Sequence, residues 1–117
     1  MYYERADESG PKRSKYYIST TTDPASLNAV LTSALGVRGV VRKRRLLYTV
    51  GGTRIHLDMV EGLGNFIELE FVEQLARPGE DGIKSVAEIR QRLDIRDEDL
   101  IAGAYIDLST QPSHPDA

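Results

Sequence analysis

The chain has 117 residues, no cysteine, 40% hydrophobic and 28% charged residues, and a formal net charge of −3. This fits one domain with one modest core and excludes disulfides, thiolate metal sites and a wholly disordered chain. No apolar run approaches the ~20 residues that a membrane helix needs, and Met1–Arg5 carries no apolar signal core, so the expected location is cytoplasmic.

The charge is unevenly spread. Residues 1–54 hold ten basic and four acidic residues, whereas residues 55–117 hold five basic and fourteen acidic ones. The two halves either pair with each other or divide the labour, cations for phosphate oxygens and carboxylates for metal.

Met1–Arg5 reads as a strand, and Gly10-Pro11 breaks the chain after it. Ser14–Thr22, rich in Tyr, Ile and Thr, reads as a second strand. Asp23-Pro24 opens a helix, with Asp23 as the cap and Pro24 at the first helical position. Leu27, Val30, Leu31, Ala34 and Leu35 form one apolar stripe, expected to be core, and Gly36 ends the helix.

Three antiparallel strands follow: Val41–Val50, Thr53–Glu61 and Phe66–Glu73. Gly51-Gly52 is expected to supply φ > 0 at both central residues of a two-residue turn. Gly62 and Gly64 flank Leu63 in the second connection. Side chains alternate along a strand, so Arg54, His56 and Asp58 share one face while Ile55, Leu57 and Met59 share the other. Glu68 and Glu70 likewise oppose Ile67, Leu69 and Phe71. Residues 76–82 read as a polar, mobile loop. Ile83–Leu93 reads as a helix docking Val86, Ile89 and Leu93 on the sheet, Asp97–Leu100 as a short acidic turn, and Ala104–Leu108 as the last ordered segment. Residues 109–117 read as a flexible tail.

The charged faces have two readings. One is a half-buried sheet with its charges in water. The other is a charged interior around an anion and a metal. Residue choice favours the second, because Glu68 and Glu70 facing Asp58 would repel on an open surface yet suit a divalent cation. Oxygen ligands point to Mg²⁺ or Mn²⁺. Lys43 and Arg45 share one strand face and Arg42 and Arg44 the other; one pair turned inward with Arg54 would suit polyphosphate. His56, alone on the charged face, reads as a hydrogen-bonding neighbour rather than a ligand or base. No motif for nucleic acid, P-loop, Rossmann or nucleophilic catalysis is present.

Together, Thr53-Arg54-Ile55-His56-Leu57-Asp58, Val60-Glu61-Gly62-Leu63-Gly64 and Phe66-Ile67-Glu68-Leu69-Glu70 resemble the CYTH domain of triphosphate-tunnel metalloenzymes, class IV adenylyl cyclase-like proteins above all. Tyr3-Glu4-Arg5, Lys43-Arg44-Arg45 with Tyr48, and Gly103–Leu108 extend the resemblance over residues 1–108. The resemblance implies an α+β fold: an antiparallel β-barrel forming a charged tunnel, with helices packed outside. It implies triphosphate on Arg5, Lys43, Arg45 and Arg54, and Mg²⁺ or Mn²⁺ on Asp58, Glu68 and Glu70; no catalytic residue is assigned. The expected reaction is ATP to cyclic AMP and pyrophosphate. The alternatives are hydrolysis of tripolyphosphate or thiamine triphosphate, and a non-catalytic domain binding polyphosphate or a partner. The family's Glu-x-Glu-x-Lys strand is not in this sequence, so an open barrel, weak or absent activity and a homodimer through an open sheet edge are expected.

Overall fold

The structure, a computed structural model, describes the backbone of residues 2–5 and residues 10–109. The order is β1 (Tyr2–Arg5), β2 (Ser14–Tyr17), α1 (Pro24–Leu35), β3 (Lys43–Val50), β4 (Thr53–Val60), β5 (Gly64–Phe71), α2 (Gly82–Arg92) and α3 (Tyr105–Ser109), with short 3₁₀ turns at Glu73–Leu75 and Asp97–Asp99. The class is α+β. Among the described residues the strands do not close into a barrel, in line with the open barrel expected. β1 and β2 form one antiparallel pair, and β3-β4-β5 form a separate three-stranded antiparallel sheet. The tail read over residues 109–117 lies, beyond Ser109, outside the described residues.

The two tight connections set the register of the sheet. Gly51 takes φ 57°, whereas Gly52 does not take a positive φ. Glycine at the first central position is what a type II′ hairpin turn requires, so the expectation for both residues is corrected. Gly52 serves a different need: a Cβ there would come within 2.9 Å of Ala76 Cα and of Phe71 Cε2. From this turn the register runs Arg45 opposite Asp58 and Leu47 opposite His56 on one side. On the other side it runs Arg54 opposite Glu70, His56 opposite Glu68 and Asp58 opposite Phe66.

Both long helices start as their caps dictate. Asp23 accepts from the Ser26 amide at 3.0 Å, and Asp81 accepts from the Lys84 amide at 3.2 Å. Their fates differ. α2 packs on β5 and β4, with Gly82 so close to the Phe71 ring that a Cβ would lie 2.5 Å from it. Val86 and Ile89 are half-buried there, while Leu93 stays exposed. No residue of α1 is buried; Leu27, Val30, Leu31 and Leu35 are exposed, so the expected core role of that stripe is not seen among the described residues.

The segment 76–82 is not loose. Glu80 accepts from the Gly52 amide and the Arg77 amide, each at 3.0 Å, and ties this loop to the β3–β4 turn. The arrangement as a whole is extended. Its radius of gyration is 16.5 Å, against about 13 Å for a compact chain of this length. Among the described residues, no helix is long and apolar enough to cross a membrane.

Candidate functional site

The central sheet buries polar as well as apolar side chains. On β4, His56, Asp58 and Val60 are buried on the charged face, while Met59 on the apolar face is exposed. Leu46, Tyr48 and Val50, on the apolar face of β3, are exposed as well. Burial is therefore divided between the faces: on the apolar face Thr53 is buried and α2 covers Phe71, while Leu47 on the charged face is exposed.

Asp58 is the hub of this face. Its side chain is fully buried. Arg45 donates from Nε to Oδ1 and from Nη2 to Oδ2, each at 2.6 Å. The Tyr105 hydroxyl donates to Oδ2 at 2.8 Å, and Lys43 Nζ stands 3.9 Å away. The Arg45 hydrogen bonds, helped by Tyr105, hold the Asp58 carboxyl down at about 2 against the opposing effect of burial. The same pairing raises the Arg45 guanidinium above its ordinary value. Burial, then the Asp58 carboxylate, pushes the Tyr105 phenol well above its usual range.

α3 delivers Tyr105 to this point. Arg38 pairs with Asp107, and Ile106 packs against Gly39, where a Cβ would clash. The Tyr105 ring lies 5.0 Å from that of Phe66, and Lys43 Nζ sits 5.3 Å above its centroid, a cation–π approach. Sequence reasoning gave Tyr105 no role of its own. Its one signal was Phe66, an aromatic breaking a row of charges and facing Asp58 across the strands.

Glu68 and Glu70 are differently placed. Arg45 Nη2 reaches Glu68 Oε2 at 3.4 Å. Arg54 Nη1 stands 3.6 Å from Glu70 Oε1, beyond hydrogen-bond length. Both carboxylates are roughly two-fifths exposed, at 38% and 41%. His56 is 6% exposed, and its Nδ1 and Nε2 have no hydrogen-bond partner among the described residues. The expected hydrogen-bonding role of His56 is therefore not seen; an unmet buried polar group costs about 1–3 kcal/mol.

The structure thus brings Lys43, Arg45, Arg54, Asp58, Glu68 and Glu70 onto one face. Arg5 lies in β1, paired with Ser14; its side chain is outside the described residues. Arg44 falls on the opposite face of β3 from Lys43 and Arg45, and Arg42 immediately precedes that strand. Among the described residues no three His, Asp or Glu side chains form a ready metal cage. Glu68 and Glu70, with spare lone pairs beside an unmet imidazole, nonetheless fit a divalent ion that takes its other ligands from water or phosphate. Asp58 fits less well, because its oxygens are already committed.

Comparison with known proteins agrees with this architecture. The family model described as the CYTH domain matches residues 1–105. A solved structure of PH1012 protein from Pyrococcus horikoshii OT3 aligns with a TM-score of 0.69 at 24% identity. That alignment covers 91% of this chain and 64% of the other, so this chain spans under two thirds of that protein's length. At this identity the likeness speaks for the fold alone. No curated protein matches the sequence.

Proposed function

The chain belongs to the CYTH domain family, and on that premise we propose that its charged sheet face binds a nucleoside triphosphate together with a divalent cation. The observation that carries this reading is the grouping on one sheet face of Lys43 and Arg45 around the buried Asp58, with Arg54 beside Glu70. Cations and carboxylates gathered on one face suit a polyanion and a divalent ion bound together.

Lys43 and Arg54 supply positive charge, and Arg45 keeps Nη1 for a phosphate oxygen while Nε and Nη2 hold Asp58. Asp58 acts as the positioning anion that fixes the Arg45 fork. Glu68 and Glu70 hold Mg²⁺ or Mn²⁺, which neutralises phosphate charge and polarises a phosphoryl oxygen when bound. The reaction assigned to this site is cyclisation of ATP: the ribose 3′-oxygen attacks the α-phosphorus and pyrophosphate leaves. Hydrolysis of tripolyphosphate or thiamine triphosphate draws on the same electrostatics.

The test is calorimetric titration of tripolyphosphate into the chain with and without Mn²⁺. Metal-dependent binding supports the reading, and absence of heat under both conditions overturns it. Incubation with ATP then separates the reactions, through cyclic AMP and pyrophosphate in one case and orthophosphate in the other.

A further inference from the structure

Tyr105 reaches the charged face from α3, outside the sheet. Its hydroxyl donates to Asp58 Oδ2 at 2.8 Å, the same oxygen that accepts from Arg45 Nη2 at 2.6 Å. Lys43 Nζ lies 5.3 Å from the Tyr105 ring centroid and 3.9 Å from that Oδ2. Tyr105 therefore takes up the approach to Lys43 and to the Asp58–Arg45 pair from this side. An ammonium held on an aromatic ring and beside a carboxylate has its charge answered from within the chain. A phosphate oxygen that takes Lys43 has to compete with both.

The element that carries Tyr105 is lightly held. No residue of α3 is buried, and among the described residues it packs broadly on no other helix or strand. Its anchors are the Tyr105 contacts, Ile106 against Gly39 and the Arg38–Asp107 ion pair, in which Arg38 is 71% exposed. An exposed ion pair changes an equilibrium by no more than about fivefold. Segments with few buried contacts open locally at low cost. α3 thus combines a central position on the charged face with a weak hold on the rest of the fold.

We propose that α3 is a self-inhibitory clasp on the charged face, with Tyr105 shielding Lys43 and the Asp58–Arg45 pair until a polyphosphate displaces it. A ligand that takes Lys43 binds the open form better than the closed one, and this difference is what opens the clasp. Arg45 keeps its grip on Asp58 when the clasp leaves, so the guanidinium stays oriented. The inference rests on the triphosphate reading above and adds a regulation of that same site.

The experiment is NMR of the full chain, free and saturated with tripolyphosphate, with binding followed by calorimetry on the same samples. The Tyr105 and Phe66 rings, 5.0 Å apart between centroids, should give a ring-to-ring nuclear Overhauser contact in the free chain. That contact should be lost at saturation. Arg38→Gln cuts a tether away from the phosphate site and should tighten tripolyphosphate binding about two- to fivefold, the range of one exposed ion pair, although a positive charge is lost. The ring contact is read on the unaltered chain, so it decides the matter even where the variant does not fold. A ring contact that persists at saturation, or binding by a folded Arg38→Gln chain that is equal or weaker, overturns the clasp and leaves the triphosphate reading standing. Absence of tripolyphosphate binding by the unaltered chain overturns both.

Discussion

Arg45 grips Asp58 by both oxygens, Nε on Oδ1 and Nη2 on Oδ2, each at 2.6 Å. The register makes this possible by setting the two residues directly opposite each other on β3 and β4. A bidentate fork fixes direction as well as distance. Stability at this site should therefore follow the ionisation of Asp58. Its folded-state value, about 2, lies below the ordinary 3.8. A group depressed on folding contributes stability that is fully present above its unfolded value and is lost as pH falls through its folded value. The melting temperature should fall between about pH 4 and pH 2 through this group. Asp58→Asn should remove that component and cost about 2 kcal/mol at neutral pH, because the Arg45 charge loses its partner. Thermal melts of both proteins across that range are the check; identical pH profiles would sink the assignment.

Tyr105→Phe separates the hydroxyl from the ring. The ring keeps its place 5.0 Å from Phe66, while Asp58 loses the 2.8 Å hydrogen bond. A loss of about 1 kcal/mol is expected, the usual worth of one such bond. The acid transition of Asp58 should move to higher pH, since one of the hydrogen bonds that hold its carboxyl down is gone. Carboxylate titration followed by NMR reads this shift. An unmoved transition would mean that Tyr105 does not share the Asp58 oxygen in solution.

How much of this was legible in the sequence depends on the range of the signal. The three central strands were readable because alternation and paired glycines act over a few residues. Asp58, Glu68 and Glu70 followed from that alternation, which left open whether Lys43 and Arg45 or Arg42 and Arg44 turned inward; the resemblance to the family selected the first pair. Tyr105 was not readable as a site residue, because nothing periodic links it to Asp58, 47 positions away. α1 shows the opposite limit. Its cap and stripe specify a helix, yet helical spacing does not say what the stripe packs on, and Leu27, Val30, Leu31 and Leu35 remain exposed. Glu80 was hidden for a third reason: a lone acid in a polar loop looks solvated until backbone amides are seen to converge on it.

Glu80 makes a prediction about dynamics. Its carboxylate accepts from the amides of Arg77 and Gly52, with a longer contact to the Ser85 hydroxyl. The Arg77 amide first, then the Gly52 amide, holds its carboxyl below the ordinary value. Glu80→Ala should free both amides and loosen the β3–β4 turn. Hydrogen exchange should quicken at Gly52 and Arg77 and remain unchanged in the middle of β4. Uniform acceleration throughout the chain would instead indicate general destabilisation.

The exposed apolar surface predicts association. The stripe of α1, together with Leu46, Tyr48 and Val50 of β3, is open, and β3 has no further strand partner among the described residues. Unpaired edges and contiguous apolar surface favour pairing between chains. Light scattering over a concentration series should show mass rising above that of one chain. Leu31→Lys with Leu46→Lys should reduce it, and a constant single-chain mass at the highest concentration would refute the prediction.

The last prediction concerns the two glutamates. Glu68→Gln with Glu70→Gln keeps the side-chain shape and removes two charges from the face that also holds Lys43, Arg45 and Arg54. If these carboxylates hold the cation, the double variant should bind tripolyphosphate no better with Mn²⁺ than without it. Metal-free binding should hold steady or tighten, because two negative charges no longer oppose the phosphates. Arg42→Gln with Arg44→Gln provides the contrast. Arg44 lies on the other face of β3 and Arg42 precedes that strand, so the metal-dependent gain should survive their loss, apart from a modest screened effect on the general field. Calorimetric titrations of the three proteins under one buffer check both halves. Equal Mn²⁺ dependence in the glutamate variant and the parent would place the cation elsewhere on the chain.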